Sequence, residues 1–134
     1  WATAPSLIQG YGGNAALQTA FAASGAAPMY ACRAWVNFDG TGTVGLRGSG
    51  NVSSITDNGV GDYTVNFTAS MPDLFYAKNI ICQGITGNNQ VLTLPDFGPS
   101  GALSAPTASS FRFMVVAPGT GFVDSGICNV SIFR

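Results

Sequence analysis

Histidine and glutamate are missing from this 134-residue chain, and lysine occurs once, at Lys78. Without an imidazole there is no histidine acid–base chemistry, and most zinc sites are excluded. The remaining charges are four arginines and six aspartates. Charged residues make up 8% of the chain, where an ordinary soluble domain carries about 25%. With a net charge of −1 and no cluster of Lys and Arg, the chain cannot neutralise a phosphate backbone, so nucleic acid is excluded as a partner. A coiled coil with charged flanking positions is excluded on the same ground. A surface this poor in charge either rests on Ser, Thr, Asn and Gly for its solubility or is covered in part by partner subunits.

Long apolar runs are lacking too. None approaches the ~18–20 residues that span a bilayer, so insertion in a membrane is not expected. The small-residue stretch from Ala15 to Ala27 is interrupted by Gln18, Thr19, Ser24 and Gly25. No basic region precedes it, as a secretory signal would require. The chain opens on Trp1 rather than Met, from which a longer polypeptide or a removed upstream segment is expected. Cysteines number three, Cys32, Cys82 and Cys128, too few and too scattered for a disulfide scaffold. Each sits in an apolar, strand-like stretch. The expectation is three buried free thiols, with one disulfide plus one free thiol as the alternative. Free thiols imply assembly in a reducing cytoplasm. A nucleophilic cysteine is not expected, because no histidine is present to activate it.

What the sequence does contain is a change of period. Residues 1–27 hold nine alanines and no charge. Asn14 followed by ten helix-compatible residues and Gly25 reads as a short capped helix after a linker, a possible trimerising stem. From residue 28 to 134 the alternation becomes two-fold. Strands are expected at Tyr30–Phe38, Thr43–Arg47, Asn51–Thr56, Asp62–Thr68, Tyr76–Gln83, Gln90–Leu94, Ser110–Ala117 and Gly126–Phe133. Turns are expected at Asp39-Gly40 and Asp57-Asn58-Gly59. The fold class is therefore all-β, an antiparallel β-sandwich, jelly-roll-like, of about eight strands behind a short N-terminal helix or linker. The 95–109 stretch reads as a long loop, and such loops often carry function.

Catalytic groups are nearly absent. Paired carboxylates are the one arrangement the composition permits, and Asp39, Asp57 and Asp62 are candidates. Aspartate beside glycine or asparagine is ordinarily turn chemistry, bonding nearby backbone N–H groups. An oxygen-ligand calcium site on Asp57, Asn58 and Asp62 is the minor alternative. No catalytic residue, metal or cofactor is therefore expected. Three glycosylation sequons begin at Asn51, Asn66 and Asn129, but the last two lie inside expected strands, and glycosylation is not expected. For binding, an aromatic face beside a short acceptor suits a sugar ring. Asp96 with Phe97, and Phe122 with Asp124, offer that pairing in loops; Tyr76 and Trp35 are weaker candidates. Were Asp96 and Asp124 such contacts, replacing both by Ala would abolish binding with thermal stability nearly unchanged.

The stretches Cys32-Arg-Ala-Trp-Val-Asn-Phe-Asp-Gly-Thr-Gly-Thr43 and Gly50-Asn-Val-Ser-Ser-Ile-Thr-Asp-Asn-Gly-Val-Gly-Asp-Tyr-Thr-Val-Asn-Phe67 resemble the C-terminal domain of tail-fibre and related fibre proteins of tailed bacteriophages. The likeness covers residues 28–76, and Trp1–Ser6 is similar to the linker that follows repetitive shaft segments in such fibres. The resemblance implies a virion surface protein assembled in the host cytoplasm as a homotrimer. It implies contact with other virion proteins and with a host-surface glycan or outer-membrane protein. Its motif carries no catalytic residue. Capsid decoration or a head fibre is the first alternative, and a lectin-like carbohydrate-binding module the second.

Overall fold

The computed structural model describes residues 30–84, 91–98 and 101–134. The helix expected at 14–25 and the stem at 1–27 lie outside them. The second of the chain's two units, Cys32–Arg134, is built from nine strands: β1 (Cys32–Asp39), β2 (Gly45–Gly50), β3 (Val52–Gly59), β4 (Asp62–Phe67), β5 (Ala77–Cys82), β6 (Leu92–Pro95), β7 (Ser110–Ala117), β8 (Gly121–Phe122) and β9 (Cys128–Phe133). They form two packed antiparallel sheets, a β-sandwich. One sheet has the order β2-β1-β9-β5; the other runs β3-β4-β7-β6, with β8 pairing β7. Among the described residues no helix is long and apolar enough to cross a membrane.

The two-fold alternation does what it must in a sandwich. Ala34, Val36 and Phe38 on β1 point inward, as do Tyr63, Val65 and Phe67 on β4, Phe111, Phe113, Val115 and Ala117 on β7, and Cys128, Val130 and Ile132 on β9. Two aromatic groups fill the core. Phe38, Tyr63 and Phe113 meet edge-on or tilted, with ring centroids 5.3–6.4 Å apart. Phe67, Tyr76 and Phe111 form the other. Such contacts add about 0.5–1.5 kcal/mol per pair beyond the burial itself.

Connections differ from expectation in instructive places. The Asp39-Gly40 turn is present, with Asp39 accepting from the Thr41 amide (2.9 Å) and hydroxyl (2.6 Å). The second turn falls at Val60-Gly61 rather than at 57–59, because β3 runs on through Asp57 to Gly59 before reversing. Asp57 still acts as turn chemistry, accepting from the Gly59 amide. Asn51 is a corner rather than a strand start. At φ 55° it passes the chain from one sheet to the other, and its amide bonds the Arg33 and Ala69 carbonyls and the Ala69 N–H. The described residues of the 95–109 stretch add one bridge to the expected long loop. Phe97 bridges Leu103, and the Ser104 N–H returns to the Asp96 carbonyl. The two-residue β8 has no expected counterpart. Of the three thiols Cys128 is buried, Cys82 half-buried and Cys32 exposed. The expectation of three buried thiols therefore fails at Cys32, which lies at the outer end of β1 beside Phe133.

Two phenols and two carboxylates set the pH response. Burial pushes Tyr76 up from 10.0 to about 12, and burial reinforced by the Asp124 carboxylate raises Tyr63 as well. Hydrogen bonds from Thr41, aided by Arg47, hold Asp39 below 3.8. Arg134, with the Phe75 N–H, does the same for Asp73. A raised tyrosine pKa is stability fully present below pH 10 and lost as the pH climbs through the folded value. A lowered aspartate pKa is stability present above pH 3.8 and lost as the pH falls through the folded value. With no histidine, the urea midpoint is expected to be flat from about pH 5 to about 8, to fall above about 10 and to fall below about 4. A midpoint that drops between 5 and 8 would contradict this.

Candidate functional site

All eleven charged side chains have partners inside the chain. Asp39 pairs with Arg47, Asp62 with Arg112, Asp73 with Arg134 and Asp96 with Lys78. Asp57 caps Gly59. Asp124 accepts from the Gly61 amide and the Tyr63 hydroxyl, each at 2.8 Å. Arg33 donates to the main-chain oxygen of Arg134. Asp57, Asn58 and Asp62 do not converge as ligands: Asn58 donates to Thr64 (2.9 Å) and Asp62 holds Arg112. Among the described residues no three of His, Cys, Asp or Glu gather to hold a metal.

The four residues singled out from the loops separate into two structural and two apolar ones. Asp96 sits at φ 62°, donates its N–H to the Arg112 carbonyl and pairs at 2.9 Å with Lys78, whose ammonium lies over the Tyr76 ring. It ties β6 to β5, the edges of the two sheets. Asp124 ties the β4 turn to the buried end of the sandwich, where the Tyr63 hydroxyl also lies 3.0 Å from the Gly40 carbonyl. Both carboxylates hold the fold, so the double replacement by Ala is expected to cost about 2–5 kcal/mol in total, read as a lowered urea midpoint, not an unchanged one. Nor are the two pairs brought together. Asp96 and Phe97 follow β6, and Phe122 and Asp124 belong to the β8 side, with β7 between them. Phe97 is half-buried and Phe122 exposed. Tyr76 is buried, its hydroxyl 2.9 Å from the Thr107 carbonyl, and presents no face to a ligand.

Two surfaces with exposed aromatic or aliphatic groups remain. The first is the outer face of the five-stranded sheet on its β6-β7-β8 side. Register aligns Leu92, Val116 and Phe122 across three strands, with Leu94 beside Met114 in the next row. Leu92, Leu94 and Phe122 are exposed, while Met114 is buried outside the main core. The signal for it lies in β7, which is apolar on both faces from Phe113 to Ala117, as a strand covered on both sides would be. The second surface is the outer face of the four-stranded sheet. Trp35 stands half-exposed and lies against Gly48 and Gly50; a Cβ at Gly50 would collide with its indole, and one at Gly48 would meet it tightly at 3.3 Å. Its neighbours on that face are mostly amides and hydroxyls, with the exposed Arg33 two residues before it on β1: Asn37 donates to Asn129 at 2.6 Å, Ser131 lies opposite both Trp35 and Asn79, and the exposed aliphatic Ile81 lies opposite Asn129. An exposed indole rimmed by amides can stack on a ring and bond hydroxyls. Compared with known proteins, the chain matches no family model, no curated protein and no solved structure.

Proposed function

We propose that this chain is the distal domain of a bacteriophage tail fibre, a non-enzymatic module that binds the host surface as a homotrimer. The observation that carries the reading is the division of its chemistry. Every charged side chain has a partner within the chain, several of them at the surface, and aromatic, aliphatic and amide groups make up much of the outer faces. Such surfaces associate by apolar burial and neutral hydrogen bonding. The resemblance over residues 32–67 supports the assembly to which the module belongs. In this reading the Leu92–Val116–Phe122 stripe meets neighbouring copies, since continuous exposed apolar area of this kind marks a protein interface. The Trp35 face meets a glycan or protein of the host. The virion is its site of residence.

Light scattering on the purified chain is the test. The expected mass is about three times the 13.7 kDa of the monomer, and Phe122→Asp should shift it toward the monomer by burying a charge in the contact. The trimer should bind host cells saturably and release no sugar from them. A stable monomer at micromolar concentration, or measurable glycan turnover, would overturn the proposal.

A further inference from the structure

The antiparallel register of β5 and β9 sets Cys82 directly opposite Cys128, and their sulfurs lie 2.9 Å apart. Directly opposed residues of an antiparallel pair have Cα atoms about 4.5 or 5.5 Å apart. Both spacings fall within the ~4.4–6.8 Å that a disulfide accepts. Both side chains point to the inner side of the sheet: Cys128 is closed off from solvent, and Cys82, on the edge strand β5, is half-buried. The Cys82 thiol donates to the Cys128 sulfur. That contact lowers the Cys128 pKa from the ordinary thiol value and raises that of Cys82. Cys82, on the edge strand, is the sulfur an oxidant in solution reaches first, and the proton it sheds on attack goes to the small thiolate released. Cys32 takes no part, its thiol donating instead to the Ala34 carbonyl.

We infer that Cys82 and Cys128 are an oxidation site, closing into a cross-strand disulfide when the folded chain meets a low-molecular-weight disulfide such as oxidised glutathione. The edge-strand Cys82 attacks one sulfur of the oxidant, breaking its S–S bond and releasing one small thiol. The Cys128 sulfur then attacks the Cys82 sulfur of the mixed disulfide and expels the second. The protein loses two electrons and two protons; the oxidant gains both as two thiols. The bond joins β5 covalently to β9 across 46 residues of chain. The sulfurs have to close from 2.9 Å to bonding distance, about 2 Å. The inference concerns the sandwich alone and stands apart from the function proposed above.

The full chain is incubated folded with oxidised glutathione, freed of it, unfolded, and titrated with a maleimide. Three reactive thiols before treatment should become one, and the mass should fall by about 2 Da, the two hydrogens lost in forming the bond. Peptide mapping should join the Cys82 and Cys128 peptides, and Cys32→Ser should go from two reactive thiols to none. Three thiols persisting, a stable glutathione adduct on Cys82 without a bridge, or a bridge through Cys32 between copies would overturn the inference.

Discussion

Replacing Gly61 by Ala is expected to lower stability by at least about 3 kcal/mol, through backbone strain and collision together. Gly61 sits at φ +64°, and a Cβ there would fall 2.6 Å from the Val115 carbonyl, 2.7 Å from the Val123 carbonyl and 2.8 Å from the Val123 nitrogen. These are backbone atoms held in the sheet: the Val115 N–H donates to the Gly61 carbonyl, and the Val123 N–H to the Val115 carbonyl. None can swing aside as a flexible side chain would. The Gly61 amide is also fixed by Asp124, so any shift of the turn loosens the bond to the Tyr63 hydroxyl as well. At about 4–8 °C per kcal/mol for a unit of this size, the melting temperature should fall by more than about 12 °C. Gly119→Ala is the control, for that glycine has φ +79° and open space around it. It should show the conformational cost alone, about 1–2 kcal/mol. Equal losses at the two positions would mean that the close approach of β4, β7 and β8 is not as described.

Phe38→Ala should be costlier still for its chemistry, about 3–5 kcal/mol. Phe38 is fully buried and packs edge-on against Tyr63 at 5.3 Å and Phe113 at 6.4 Å. It thereby couples β1 of one sheet to β4 and β7 of the other. Removing the ring opens a cavity between sheets whose strands are pinned by hydrogen bonds and cannot close on it. Phe75→Ala deletes the same group from an exposed position outside the Leu92–Val116–Phe122 stripe and should leave the unfolding free energy within about 0.5 kcal/mol. Equal losses for the two variants in denaturant titration would contradict the division into core and surface.

The strands were legible because both sheets bury one face. Tyr63, Val65 and Phe67 alternate with Thr64 and Asn66, and a slip by one residue would bury amides. What escaped was set by partners distant in sequence. Val60 is no turn former, yet the reversal falls there because Gly61 is the residue that can approach Val115 and Val123. β8 exists through two residues that continue the line of β4 along β7. Asp124 looked like a free acceptor in a loop, and its partner Tyr63 lies 61 residues away. Lys78, the lone lysine, occupies an inward position of β5, where alternation predicts an apolar residue; Asp96 and the Tyr76 ring make that tolerable. The meeting of Cys82 and Cys128 likewise depends on a register that no local pattern announces. The surfaces were half legible. Low charge raised the expectation of contacts with other molecules, whereas Leu92, Leu94 and Val116 read as ordinary strand residues until β7 was seen to be apolar on both sides.

The central claim, a host-binding module at the end of a phage tail fibre, is tested most directly by electron microscopy of intact phage particles produced with this chain and labelled with an antibody against residues of the sandwich. The account predicts label at the distal ends of the tail fibres, outside the head, on an appendage of three-fold symmetry. Label on the capsid shell, or particles that carry none, would contradict it.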